Sequence, residues 1–392
     1  MKQVSNYGGR KVIVFGRNYI NVIGQIRSFG ETGHKCVLVW VKEDAHTPKE
    51  SRYVETYHEV HTVSEGLELI LSKYGNNPSK NIISTDNDEI VTLLNANSER
   101  FENRFFYFGS NQNGMMQKAM QKEYQCALAK KHNMIIPKSE IVNVGEMPHE
   151  LKYPIITKVL DSTDYKHWKG YQVVCENEGE LLNAYQTTFA DFGSHDKILL
   201  QEFVEKQNEL QVEGVSLNGG EEIFLPIQVL SHRQHKNGYG TFKYAEQYHY
   251  GDELINNIQA LLKDIGYTGV FEVEYLVGKD NKLYFLEINL RYTLFNYLMT
   301  RMGVNLADVW ASSVISGRLK SENVKISSTP KSVIYEDRDF QLSVLHGDLK
   351  CGQWVSDFIK SDCYLILNRK DWKPVLFYLV RRVAGIVRRK IR

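Results

Sequence analysis

Apolar residues in the first 110 positions come as short continuous runs set between helical stretches. The runs are Val12-Ile-Val-Phe15, Cys36-Val-Leu-Val-Trp40, Asn81-Ile-Ile-Ser-Thr85 and Phe105-Phe-Tyr-Phe108. Runs of this length read as buried strands. Between the first two, Ile20, Ile23, Ile26 and Phe29 recur at helical spacing, and Gly30 and Gly33 end the helix. This βαβ spacing predicts a parallel sheet with right-handed crossovers. The loop from Gly16 to Gly24 lacks tight GxGxxG spacing, so it reads as a structural turn rather than a dinucleotide cradle.

A helical pattern over Gln117–Asn133 carries Lys118, Lys122, Lys130 and Lys131, and Pro137 ends it. Residues 153 to 230 are rich in strand patterns, interrupted by a helix at about Glu178 to Ala190. Residues 231–250 are polar and aromatic and read as a loop. A helix from Asp252 to Ile265 leads into a hairpin, Val270–Val277 and Lys282–Leu290, joined by Gly-Lys-Asp-Asn. Beyond Arg318 the pattern weakens, and no internal repeat is present.

Composition narrows the function classes. The 392 residues are 42% hydrophobic and 24% charged, with a formal net charge of +1, so no global field points to nucleic acid. The five cysteines are scattered and form no CxxC pair, the pattern of reduced thiols rather than of structural zinc or disulfides. No secretory pattern opens the sequence and no stretch is long and apolar enough to span a bilayer, so the expected location is cytoplasmic.

The segment Phe271-Glu-Val-Glu-Tyr … Phe-Leu-Glu-Ile-Asn-Leu-Arg291 carries the chemistry. Alternate side chains of a strand share a face, which puts Glu287, Asn289 and Arg291 together, and Glu272 with Glu274 on the preceding strand. A four-residue loop at 278–281 would pair 272 with 287 and bring both sets to one surface. Close carboxylates repel unless a cation intervenes. Hard oxygen ligands of this kind suit Mg²⁺, which is commonly held by one or two carboxylates plus substrate phosphates. An exposed polar hairpin face with casual ion pairs is the competing reading.

This segment resembles the metal-binding strands of the ATP-grasp superfamily, where an acidic residue on one strand is followed by Glu-x-Asn on the next and often by an Arg. The resemblance implies ATP and Mg²⁺ (or Mn²⁺) as cofactors, with Glu274, Glu287 and Asn289 as metal ligands and Arg291 as the catalytic Arg of a carboxylate–amine ligase. Glu272 competes with Glu274 for the first-strand position. Upstream, Tyr153-Pro-Ile-Ile-Thr-Lys158 is similar to the strand ending in a phosphate-binding Lys, and Lys122 to the Lys that precedes it. Leu199-Leu-Gln-Glu-Phe-Val204 resembles the adenine-reading hinge, with Glu202 and Val204, and Glu209 the acid for ribose hydroxyls. Gln25-Ile-Arg-Ser-Phe-Gly30 and Ser51-Arg-Tyr53 resemble the domain that precedes ATP-grasp. The stretch 161–170 departs from the family, holding one glycine where a Gly-rich loop is usual.

The fold class expected is α/β, α+β in part: an N-terminal βαβ pre-ATP-grasp domain (1–115), a two-lobed ATP-grasp domain (116–320) and a C-terminal extension (321–392). Arg233, Lys236 and Lys243, between two core strands, read either as a carboxylate clamp or as a solvated loop. From Trp372 to Arg392, Val375, Leu376, Leu379, Val380, Val383, Ile386 and Val387 recur at helical spacing, with Arg381, Arg382, Arg388, Arg389 and Arg392 opposite. This reads as a basic amphipathic helix, either lying on an anionic membrane surface or packed on the body. The partners expected are small-molecule carboxylate and amine substrates, no nucleic acid, and an anionic membrane at its inner face. A catalytically silent nucleotide-binding or membrane-adaptor protein is the rival, and oligomeric state is left open.

Overall fold

The computed structural model describes residues 6–42, 47–159, 171–234, 240–322 and 324–380. The chain divides into two compact units. The larger comprises 1–133, 208–275 and 286–392, and the smaller 134–207 with 276–285.

The larger unit opens with strands β1 (Val12–Gly16), β2 (Cys36–Val41), β3 (Val54–Val60), β4 (Asn81–Thr85) and β5 (Phe105–Phe106) in the order β3-β2-β1-β4-β5. Each neighbouring pair in this order is parallel, as the βαβ spacing predicts. Helices α1 (Tyr19–Glu31), α2 (Val63–Tyr74), α3 (Asp88–Ala96) and the short α4 (Ser98–Phe101) supply the crossovers. Asn18 starts α1 by accepting from the Ile20 and Asn21 N–H groups, satisfying two orphan donors. Strand β3, Val-Glu-Thr-Tyr-His-Glu-Val, is absent from the sequence reading because it is a half-exposed edge strand rather than an apolar run.

Strand β6 (Gly109–Ser110) leads to α5 (Met115–Ala119) and α6 (Lys122–Lys131), two helices where one was expected; the break falls at Met120-Gln121. The smaller unit is an antiparallel sheet of β7 (Ser139–Asn143), β8 (Ile155–Val159), β9 (Val174–Cys175) and β10 (Lys197–Glu202), ordered β7-β10-β8-β9. Its core, including Ile155, Leu181, Ile198 and Leu200, is covered by α7 (Glu178–Thr187).

The second large sheet comprises β11 (Lys206–Leu217), β12 (Glu222–Arg233), β13 (Phe242–Gln247), β14 (Tyr267–Gly278), β15 (Leu283–Asn289), β16 (Lys331–Ile334) and β17 (Cys363–Tyr364), ordered β15-β14-β11-β12-β13-β16-β17, with β6 paired to β14. Helices α8 (Asp252–Ile265), α9 (Asn296–Met302) and α10 (Leu306–Ser316) accompany it. The stretch 231–250 is shorter as a loop than expected, because β12 reaches Arg233 and β13 begins at Phe242. Beyond Arg318 the described residues include α11 (Glu336–Phe340), α12 (Cys351–Lys360) and a helical stretch over 372–380. Residues 381–392, with most of the expected basic face, lie outside the described residues, as do 160–170 and Lys236.

Candidate functional site

Strands β14 and β15 present the acidic residues as alternation predicts: Ile288 and Leu290 are buried, and Glu287 and Asn289 lie on the other face. The connecting turn is one residue shorter than expected. The Gly278 N–H donates to the Lys282 carbonyl at 2.9 Å, and Asn281 takes the left-handed conformation at φ 62°.

Asn289 is the hub. Its Nδ2 donates to Glu272 Oε1 at 3.1 Å and to Glu274 Oε1 at 3.2 Å. Its Oδ1 accepts from Arg291 Nη2 at 3.1 Å. Arg291 Nε reaches Asp88 Oδ1 at 2.7 Å, so the guanidinium is held from two sides. Glu287 meets Lys122 Nζ at 3.0 Å. Thr293 Oγ1 donates to Glu272 Oε2 at 2.9 Å, and Asn296 Nδ2 donates to Glu213 behind it. Glu272, Glu274, Asn289 and Arg291 are thus one bonded set within the larger unit, and the Lys122–Glu287 pair acts on Glu274 electrostatically.

Burial and mutual repulsion leave this set short of positive charge. Burial, then neighbouring Glu213, pushes Glu272 up to about 7. Burial pushes Glu213 to about 7, and raises Glu274 well above the carboxylate range with help from Glu272 and Glu287. Lys122 is raised despite its desolvation, because Glu287 and Glu274 favour its ammonium form. A divalent cation among Glu274, Glu287 and the Asn289 amide would relieve this repulsion, so the donor set fits Mg²⁺. Among the described residues no group of three His, Cys, Asp or Glu could hold a metal. Two carboxylates and an amide match an ion that keeps water and phosphate oxygens as its remaining ligands.

Asp86 and Asp88 were not singled out from the sequence. They follow β4 at the carboxyl ends of the parallel strands, beside the β1 loop, where strand order reverses and open α/β sheets bind ligands. Asp86 accepts from the Asn18 and Arg17 N–H groups at 3.1 and 3.4 Å. Burial pushes it up to about 6, opposed by Arg291. Gly16 allows this approach: a Cβ there would lie 2.1 Å from Asp86 Oδ1.

The remaining residues fall elsewhere. Lys158, on β8 of the smaller unit, donates to Gln201 Oε1 at 2.6 Å. Glu202 and Val204 line an open pocket of about 460 Å³ in the same unit, with Phe203, Pro154, Lys279 and Tyr284. Glu209 belongs to the larger unit, where it accepts from Ser231 Oγ at 3.2 Å and Gly240 N–H at 2.9 Å, with Lys243 3.6 Å away. It therefore ties together the two ends of the 231–240 segment. Arg233 is paired with Asp339 and Asp357, and Lys243 is buried against Gln211 and the Phe295 ring, so both are structural ties. The carboxylate clamp expected of these two residues is not formed, because each cation is already paired within the fold.

Residues 116–309 match the family model described as carbamoyl-phosphate synthase L chain, ATP binding domain. The chain is 25% identical over 203 residues to mouse mitochondrial pyruvate carboxylase, a match covering 49% of this chain and 17% of that protein. The fold is similar to L-amino acid ligase from Bacillus licheniformis, with a TM-score of 0.60 at 12% identity over 82% of this chain and 79% of that one. It is also similar to the biotin carboxylase domain of Hydrogenobacter thermophilus 2-oxoglutarate carboxylase, in a complex with MgADP, ADP and bicarbonate. That likeness has a TM-score of 0.60 at 16% identity and covers 82% of this chain and 73% of the other.

Proposed function

Because this chain is an ATP-grasp protein, with its ATP-binding domain over residues 116–309, we propose that it is a ligase that activates a carboxylate as an acyl phosphate and joins it to an amine. The observation that carries this reading is the bonded series Glu274–Asn289–Arg291–Asp88 beside the Lys122–Glu287 pair. It sets a guanidinium and an ammonium next to a carboxylate pair in need of a cation.

Lys122 and Lys158 act on the outer phosphates of ATP as point charges, and Glu202 and Val204 read the adenine from the pocket edge. Glu209 serves the ribose hydroxyls. Glu274, Glu287 and Asn289 would hold Mg²⁺, which when bound would supply charge neutralisation at the phosphates. The substrate carboxylate attacks the γ-phosphorus in line, releasing ADP. Arg291, kept in place by Asp88 and Asn289, stabilises the charge spread over the transferred phosphoryl oxygens. An amine then adds to the acyl carbon and expels inorganic phosphate, so no side chain becomes covalently bound. The functional division follows 1–115, 116–320 and 321–392, and the reading includes a cytoplasmic enzyme at the inner face of a membrane, acting on an envelope or glycan precursor.

ADP release tested with a panel of amino acids and other carboxylates, each with an amine, is the experiment. Carboxylate-dependent ADP is expected. Arg291→Ala and Glu287→Ala are each expected to lower it by about 10²–10³-fold with folding intact. Absence of ADP above background across the panel would favour the silent nucleotide-binding reading.

A further inference from the structure

Large apolar side chains left in solvent are concentrated in one stretch. Of the eleven exposed large hydrophobic residues described, eight fall between Leu345 and Val380. Isolated exposed hydrophobics are ordinary, whereas a gathering of them marks a surface that meets a partner.

Two helices carry this surface. In α12, Val355 and Ile359 are 41% and 70% exposed and stand four residues apart, on one face. The opposite face is moored: Trp354 stacks edge-on to Phe340, and its Nε1 donates to Asp339 at 2.9 Å. The 372–380 helix is moored in the same way. Tyr378 donates to Asp337 at 2.5 Å, Tyr19 donates to the Pro374 carbonyl at 3.1 Å, and Val375 is buried. Its other sides expose Trp372, Leu376, Leu379 and Val380, each about half. Both helices are fastened to α11, so they flank one short element. The 372–380 helix thus packs on the body and still turns an apolar side outward.

Charge identifies the occupant. Positions 372–392 contain seven Lys and Arg and no Asp or Glu, in a chain whose net charge is +1. Six of the seven belong to 381–392 and enter by sequence alone. A second copy would bring the same positive charge against itself, whereas an anionic lipid surface attracts it. Trp372 is a residue type suited to a membrane interface. No described helix is long and apolar enough to cross a membrane, so the contact is one of lying on the surface.

We propose that α12 and the 372–380 helix form a docking surface for an anionic bilayer. This deepens the ligase reading by naming the membrane contact and the residues that make it. The test is co-sedimentation of the full chain with phosphatidylcholine vesicles, with and without about 30% phosphatidylglycerol. Partitioning is expected to be at least ~10-fold greater on the anionic vesicles and to weaken as salt rises. Leu376→Glu/Leu379→Glu and, separately, Val355→Glu/Ile359→Glu are each expected to reduce it several-fold. All four positions are exposed, and circular dichroism checks that the variants fold. Equal partitioning on neutral and anionic vesicles, or variants that bind like the parent, would overturn the proposal. So would a concentration-dependent dimer abolished by the same substitutions, which would assign the surface to a second copy. ADP release measured without vesicles separates the two readings: failed vesicle binding with intact turnover removes only the lipid surface, and lost turnover with intact binding removes only the ligase.

Discussion

Arg291 shows what a single side chain contributes here. Its guanidinium bonds Asp88 through Nε and Asn289 through Nη2, which uses the planar fork rather than charge alone. Arg291→Lys keeps the charge and loses the fork. It is expected to lower kcat for ADP release by at least ~10-fold while leaving KM for ATP nearly unchanged, because in the proposed mechanism the missing interaction belongs to the transition state. Glu336 gives a pH prediction away from the site. It is buried and accepts from the Leu367 N–H at 2.8 Å, and burial pushes it up to about 7 from the ordinary glutamate value of 4.5. The folded protein therefore holds a proton that the unfolded chain releases earlier. The stability this adds is fully present below about 4.5 and is lost as pH rises through about 7. A thermal midpoint measured from about pH 5 to about pH 8 is expected to fall, and Glu336→Gln to flatten part of that fall.

At the scale of elements, the motif resemblances near the N-terminal sheet have a structural cause. Arg27 on α1 is fully buried and pairs with Asp371 at 3.2 Å, while its other nitrogens donate to the Leu365 and Ile366 carbonyls. Asp371 also accepts from Ser51 Oγ at 2.8 Å and from the Arg52 N–H at 2.9 Å. Residues from both quoted motifs thus fasten the 363–371 segment to the first sheet. Asp371→Ala would leave Arg27 as an uncompensated buried charge and is expected to cost about 3–5 kcal/mol in denaturant unfolding. The alternation on β15 made Glu287, Asn289 and Arg291 legible in the sequence, because a strand's period is local. The Asp88–Arg291 bond joins positions 203 apart and left no local trace. The two-residue β17 is too short to set up a period, and α12 has no fully buried residue, so no core stripe marks it in the sequence.

For the whole molecule, the α/β character could be read from the alternation of short apolar runs with helical patterns, and the ATP-grasp resemblance from the acidic hairpin 271–291. The sequence did not show which basic residues are free for chemistry. Arg233 and Lys243 look like substrate ligands in a polar loop, yet each is taken up by acidic or aromatic partners supplied from other strands and helices. Pairing of that kind depends on the assembled sheet and the helices after Arg318, where sequence patterning was weakest.

The central claim is that a carboxylate is phosphorylated by ATP before an amine replaces the phosphate. Its most direct measurement uses amino acids carrying ¹⁸O in the carboxylate, supplied with ATP, Mg²⁺ and an amine, and follows the isotope in the released inorganic phosphate by mass spectrometry. One labelled oxygen per phosphate is predicted, in step with ADP formation and lost in Glu287→Ala. Phosphate released without label while ADP accumulates would mean that water, not a carboxylate, receives the phosphoryl group, and would contradict the account.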